Sequence, residues 1–224
     1  MKKLNKNILV VAPHADDEVL GCGGSIVKWK KQGHKIYVLI MTNANKGDPT
    51  IFSKNYILRV REEAIKANKI LNIDKLYFED MPAPNLDLYS STKITKVLLN
   101  YISKLKITDI LLPFYGDLHH DHNKITYSGL VSSRPFGKVK RIMFYETLSE
   151  TEWGYLYNFI PNFFVSLDKD KINKKIKSFK QYKSQNKNKN HPRSANGILT
   201  LAKFRGSNIC ENFAESFKIL RLID

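Results

Sequence analysis

Short apolar, β-branched runs recur along this chain with longer amphipathic stretches between them, and that alternation does most to limit the fold. The runs are 8–13 (ILVVAP), 35–42 (KIYVLIMT), 75–79 (KLYFE), 109–114 (DILLPF) and 141–146 (RIMFYE). Helical patterns fill the gaps at about 18–32, 54–72, 90–105 and 122–132. In the second, Val60, Ala64, Ala67 and Leu71 recur at spacings of three and four, the mark of one buried helix face. In the third, Ser90 or Ser91 can cap a helix carrying Ile94, Val97, Leu98 and Ile102. Strand–helix–strand repetition predicts an α/β, Rossmann-like, mostly parallel sheet with helices on both faces.

The pattern changes after residue 150. NFFVSLD (162–168) reads as a strand, and KDKINKKIKSFKQYKSQ as a Lys-rich helix docked through Ile172, Ile176 and Phe179. NKNKNHPRSANG reads as a polar loop, and AESFKILRLID as a last strand. No repeat or Gly/Ser-rich linker divides the chain. Its 224 residues are therefore expected to form one domain, with an α/β core over 1–150 and a C-terminal extension over 151–224 packed on it.

Composition excludes several classes. Two cysteines, Cys22 and Cys210, make neither a disulfide framework nor a Cys-type zinc motif, which fits a reducing, cytoplasmic setting. The apolar part of the start is too short for a signal peptide, and no segment approaches the roughly 18 apolar residues of a membrane span. The net charge of +16 admits an anionic partner. Lys and Asn are abundant throughout, however, and no zinc-finger, RNP or helix-turn-helix signature accompanies them, so no specific nucleic acid is expected.

The first run ends in His14-Ala15-Asp16-Asp17-Glu18, and the fourth leads into Gly116-Asp117-Leu118-His119-His120-Asp121-His122. In an open parallel sheet ligands bind outside the carboxyl ends of the strands, so both clusters point to one edge. Adjacent carboxylates repel, and a bound cation would offset that. His14, Asp17 and His122 supply nitrogen and oxygen donors suited to zinc, and three ligands leave a fourth position open, as catalytic sites do. The same donor types accept Fe(II). Asp16, beside a ligand, is placed to take a proton from water. His119 would polarise an oxyanion or protonate a leaving amine, with Asp117 or Asp121 orienting it from behind. The glycines at 21, 23 and 24 would either let backbone approach a sugar or phosphate, or allow close helix packing.

PHADDEVLGCGG resembles the AHPDDE-type motif of the LmbE-like, or PIG-L, deacetylases, zinc enzymes that remove N-acetyl groups from amino sugars. His119-His120-Asp121-His122 matches their HxDH motif, and YETLSETEW, YKSQ, HPRS and FAESF are similar to the C-terminal part of one bacterial branch. The resemblance implies His14, Asp17 and His122 as zinc ligands, Asp16 as general base and His119 as the residue that stabilises the tetrahedral intermediate. The order Pro13-His14-Ala15 departs from the family's Ala-His-Pro, but neither Pro nor Ala supplies a ligand atom. A family Arg three residues before a Glu implies Arg59 as a substrate contact, with Arg61 as the alternative. Asp80 is a candidate for a sugar hydroxyl and Arg193 for an anionic group. The expected substrate is a small amino sugar or its conjugate, with phosphorylated or nucleotide-linked sugars suited to the positive charge. A thiol-glycoside amide is the alternative.

Two other classes compete. A receiver-like signalling domain would use the acidic pair to bind magnesium and Asp80 as phospho-acceptor, but it leaves His119–His122 idle. A dinucleotide-binding module would need Gly-x-Gly-x-x-Gly directly after the strand, and that spacing is absent.

Overall fold

The computed structural model describes residues 5–224; the first four, where the basic lead-in begins, lie outside the described residues. Five strands, β1 (Asn7–Ala12), β2 (Lys35–Asn43), β3 (Lys75–Pro82), β4 (Asp109–Pro113) and β5 (Arg141–Tyr145), run parallel. Two more, β6 (Phe163–Leu167) and β7 (Phe213–Leu222), complete one seven-stranded sheet of order β3-β2-β1-β4-β5-β7-β6. β7 pairs antiparallel with both neighbours. The sheet is thus mostly parallel, as the alternation predicts.

Helices α1 (Asp17–Lys31), α3 (Lys54–Leu71), α6 (Lys169–Phe179) and α7 (Ala195–Ser207) cover one face, and α4 (Ser91–Lys104) and α5 (His120–Ser132) the other. A one-turn helix, α2 (Ala44–Gly47), follows β2. Strand β1 feeds both cores: Ile8, Val10 and Ala12 face the α1 side, while Leu9 and Val11 face the α4 side. All five are fully buried, which is why a central parallel strand reads as an unbroken apolar run. No helix among the described residues is long and apolar enough to cross a membrane.

The C-terminal strands and helices are stitched to α1 by charge. Glu215 of β7 accepts the Gly24 and Ser25 N–H groups at 2.8 and 2.6 Å and pairs with the Lys175 ammonium at 2.6 Å. Lys175 also donates to the Leu20 carbonyl. The three glycines lie inside α1 and serve this packing. A Cβ on Gly21 would stand 2.2 Å from the Tyr145 ring, and one on Gly24 would stand 2.4 Å from Leu167. Close helix packing accounts for them; their backbone lines no part of the cavity described below.

Sequence order reverses direction between β1 and β4, and this switch point is where open α/β sheets bind ligands. The segments after these two strands carry the acidic and histidine-rich clusters.

Candidate active site

Asp16 takes φ 127°, a conformation that non-glycine residues avoid at a cost of about 1–3 kcal/mol. It is the hinge between β1 and α1. Its carbonyl accepts the Val19 and Leu20 N–H groups at 3.0 and 2.9 Å, and its own N–H donates to Glu18 Oε2 at 3.2 Å. The sharp turn sends the next side chain, Asp17, beneath His14, whose N–H donates to Asp17 Oδ2 at 2.8 Å.

Asp17 Oδ2 then faces two imidazoles, His14 Nδ1 at 3.5 Å and His122 Nε2 at 3.3 Å. Donors around a tetrahedral zinc with bonds of about 2.0–2.1 Å stand about 3.3–3.4 Å apart, so the spacing suits a shared ion. The outward ring nitrogens are both engaged. His14 Nε2 lies 3.0 Å from Asp121 Oδ2, and His122 Nδ1 lies 2.8 Å from Asp117 Oδ2. A proton on each outward nitrogen leaves a lone pair aimed inward, the usual outer support of a metal-binding imidazole. His122 Nε2 is buried with no hydrogen-bond partner. A buried lone pair facing a carboxylate oxygen is unfavourable without a cation between them. Asp117 therefore orients His122, and Asp121 orients His14 while its Oδ2 also stands 4.0 Å from His119 Nδ1. Thr151 donates to Asp117 at 2.6 Å, and the Leu86 N–H to Asp121 at 3.3 Å, so both supports are held in turn.

The same contacts shift the proton affinities of these groups. Burial alone would lower His14, but its hydrogen bonds to Asp121 and Asp17 outweigh that and raise it to about 9. Burial likewise opposes charge on His122, and Asp17 and Asp117 overcome it. Asp17 is pressed well below the carboxylate range, because the two imidazoles outweigh its burial. Asp16 moves the other way: burial and then Asp17 push it up, while Arg193 opposes them.

His14, Asp16, Asp17 and His119 open into a cavity of about 300 Å³. Phe52, Tyr56 and Ile57 also line it, and Gln185 donates to the Tyr56 hydroxyl at 3.1 Å. His119 caps α5: its Nδ1 accepts the Asp121 N–H at 3.2 Å, which leaves the proton of a neutral ring on Nε2. Burial, then the charges of His14 and His122, lower its pKa to about 4. Arg193 reaches in from the C-terminal segment, with Nη1 3.7 Å from Asp16 Oδ2, which has no hydrogen-bond partner.

Arg61, not Arg59, lines the cavity. Arg59 is exposed and lies over the Tyr56 ring at 5.4 Å. The cause is helical phase: α3 buries Val60, Glu63, Ala64 and Ala67, and Arg61 sits on the flank facing β3. There it donates to Asp80 Oδ1 at 2.6 Å and to the Glu79 carbonyl at 3.1 Å. Asp80 does not line the cavity; it steadies Arg61 and accepts from Asn43 at 2.7 Å. Sequence reading assigned nothing to Glu18, Tyr56 or Gln185. The acidic run and YKSQ were the available signals, but neither shows which side chains meet.

Residues 9–132 match the family described as PIG-L, GlcNAc-PI de-N-acetylase. The chain belongs to the PIG-L family. It is 29% identical over 184 residues to the uncharacterized deacetylase YaiS of Escherichia coli, covering 80% of this chain and 91% of that protein. It is 25% identical over 193 residues to the diacetylchitobiose deacetylase of Thermococcus kodakarensis, covering 80% and 70%. In fold it is similar to the conserved protein TT1542 from Thermus thermophilus, with TM-score 0.79 and 22% identity over 98% of this chain and 96% of that one. As a PIG-L family member the chain is an enzyme of the deacetylase class, a hydrolase, and the donor set of His14, Asp17 and His122 is one that could hold a metal.

Proposed function

We propose that this enzyme removes the N-acetyl group of a small amino sugar or amino-sugar conjugate, using zinc held by His14, Asp17 and His122. The observation that carries the reading is His122 Nε2, buried without a hydrogen bond and facing Asp17 Oδ2, beside a cavity that Asp16 lines. A divalent metal there supplies Lewis acidity, lowering the pKa of water and polarising an acyl oxygen.

The chain's own residues divide the remaining work. Asp16, which lines the cavity with His14 and Asp17, accepts a proton from the attacking water and passes it to the departing amine as the C–N bond breaks, so that acetate and the free amino sugar leave. His119 Nε2–H donates to the acyl oxygen as negative charge develops there; its Nδ1 bond to the helix backbone holds the ring in the donor tautomer. Arg61 and Arg193 line the cavity and favour a sugar carrying phosphate or another anionic group. Phe52, Ile57 and Tyr56 give the sugar an apolar and aromatic wall.

Amine release from N-acetylglucosamine, UDP-N-acetylglucosamine and a phosphorylated N-acetylglucosamine tests the reading, with zinc-loaded wild type and Asp16→Ala side by side. Release by wild type, most from an anionic member and almost none by the variant, is expected. Equal release by both proteins would remove Asp16 from the reaction.

A further inference from the structure

Glu18 is the one carboxylate of the acidic run that neither meets the cavity nor faces the imidazoles. An acid in the first turn of α1 offsets the helix dipole equally well at the surface. Glu18 is instead fully buried, where a carboxylate is tolerated only with hydrogen bonds on both oxygens. Those bonds connect three distant segments. Oε1 accepts from the Tyr182 hydroxyl at 2.5 Å and from the Asn68 amide of α3 at 2.8 Å. Oε2 accepts the Asp16 N–H. Tyr182 follows α6 and is itself fully buried.

We propose that Glu18 and Tyr182 are positioning residues for Asp16: Tyr182 and Asn68 fix the Glu18 carboxylate, which anchors the peptide of Asp16 and so aims its side chain. The proposal rests on the reading of Asp16 as base. Asp16 holds a disfavoured φ of 127° between two clamps, the α1 N–H groups on its carbonyl and Glu18 on its N–H. A residue in such a conformation relaxes when one clamp is released. Its Cα–Cβ bond then swings, and the carboxylate leaves its place at the cavity wall beside Arg193. The C-terminal segment thus reaches the base without touching it.

The test uses the full-length, zinc-loaded chain as wild type, Tyr182→Phe, Glu18→Gln and the double variant. Phe keeps the buried ring and removes only the donor. For Tyr182→Phe we expect kcat to fall about tenfold, the scale of a group displaced by a fraction of an ångström, with KM within about twofold and zinc content unchanged. Glu18→Gln should lose more, and the double variant no more than Glu18→Gln alone, because both act through one chain of bonds. Hydrogen exchange at the Asp16 amide, read by NMR, should quicken in each variant while β1 amides keep their rates. This readout needs no turnover. If wild type hydrolyses no N-acetyl sugar, the amino-sugar reading fails, and exchange at Asp16 still decides the anchor. Unchanged kcat and unchanged Asp16 exchange in Tyr182→Phe would overturn the proposal, as would losses that add in the double variant.

Discussion

Residues 5–150 and 151–224 serve the same cavity by different routes. The first part delivers the donor set directly. His14 and Asp17 follow β1, His122 follows β4, and both loops open at the switch point of the parallel strands. The second part adds no member of that set. It reaches the site through long-range contacts: Tyr182 on Glu18, Ser184 on Glu63 at 2.6 Å, Gln185 on Tyr56, and Arg193 beside Asp16. Chemistry lies where the topology makes a crevice, and the later segment supplies walls, charge and support.

The sharpest way to break this contrast is to remove a donor from the first part. His122→Ala should abolish stoichiometric metal binding and reduce turnover to background, as metal analysis and amine release would report. Asp16→Ala comes next, with kcat lower by about 10²–10⁴-fold and metal content kept. A change in the second part that touches neither the cavity nor the Tyr182–Glu18 contact should act on folding instead. Lys175→Met leaves Glu215 buried without its cation, and breaking such a pair costs about 3–5 kcal/mol, to be read by denaturant unfolding. Turnover per folded molecule should be retained.

Smaller effects sharpen the picture at Arg61 and its neighbours. Arg61→Ala should raise KM about tenfold for an anionic substrate, equivalent to about 1.4 kcal/mol, while Arg59→Ala leaves it within twofold. The smallest effect concerns Asp80, whose carboxyl is held low by Asn43 and then Arg61 against slight burial. A depressed folded pKa stabilises above the unfolded value and loses that contribution as pH falls through the folded one. The stability gap between wild type and Asp80→Asn should therefore shrink as pH drops below about 3.9, from a small starting value because solvent screens the pair.

Legibility in the sequence follows the same division. Strands β1, β2, β4 and β5 are legible because they are largely buried and read as apolar runs, while β3, half-buried at the sheet edge, is legible from its Leu76-Tyr77-Phe78 run. Helix α7 is not, although Ser194 caps it by accepting the Gly197 N–H. Only Ile198, Ala202 and Gly206 are buried along it, and the exposed Phe204 blurs the periodicity. At the site, motif spacing brings His14, Asp16, Asp17, His119 and His122 to one edge, since all lie just after strand ends. Spacing fails for Arg59 because Arg59 and Arg61, two residues apart, point about 200° apart on α3, enough to move a side chain from the cavity to solvent. It leaves open the partners of Asp117 and Asp121 because which imidazole a carboxylate meets depends on the turn between β4 and α5. The Tyr182–Glu18 contact joins residues 164 positions apart, beyond any local pattern.

The most direct test of the central claim is a metal titration of metal-free protein by calorimetry, comparing wild type, His122→Ala and Asp16→Ala. One tight zinc site in wild type and in Asp16→Ala, lost in His122→Ala, is the predicted result. Equal zinc affinity in wild type and His122→Ala would contradict it.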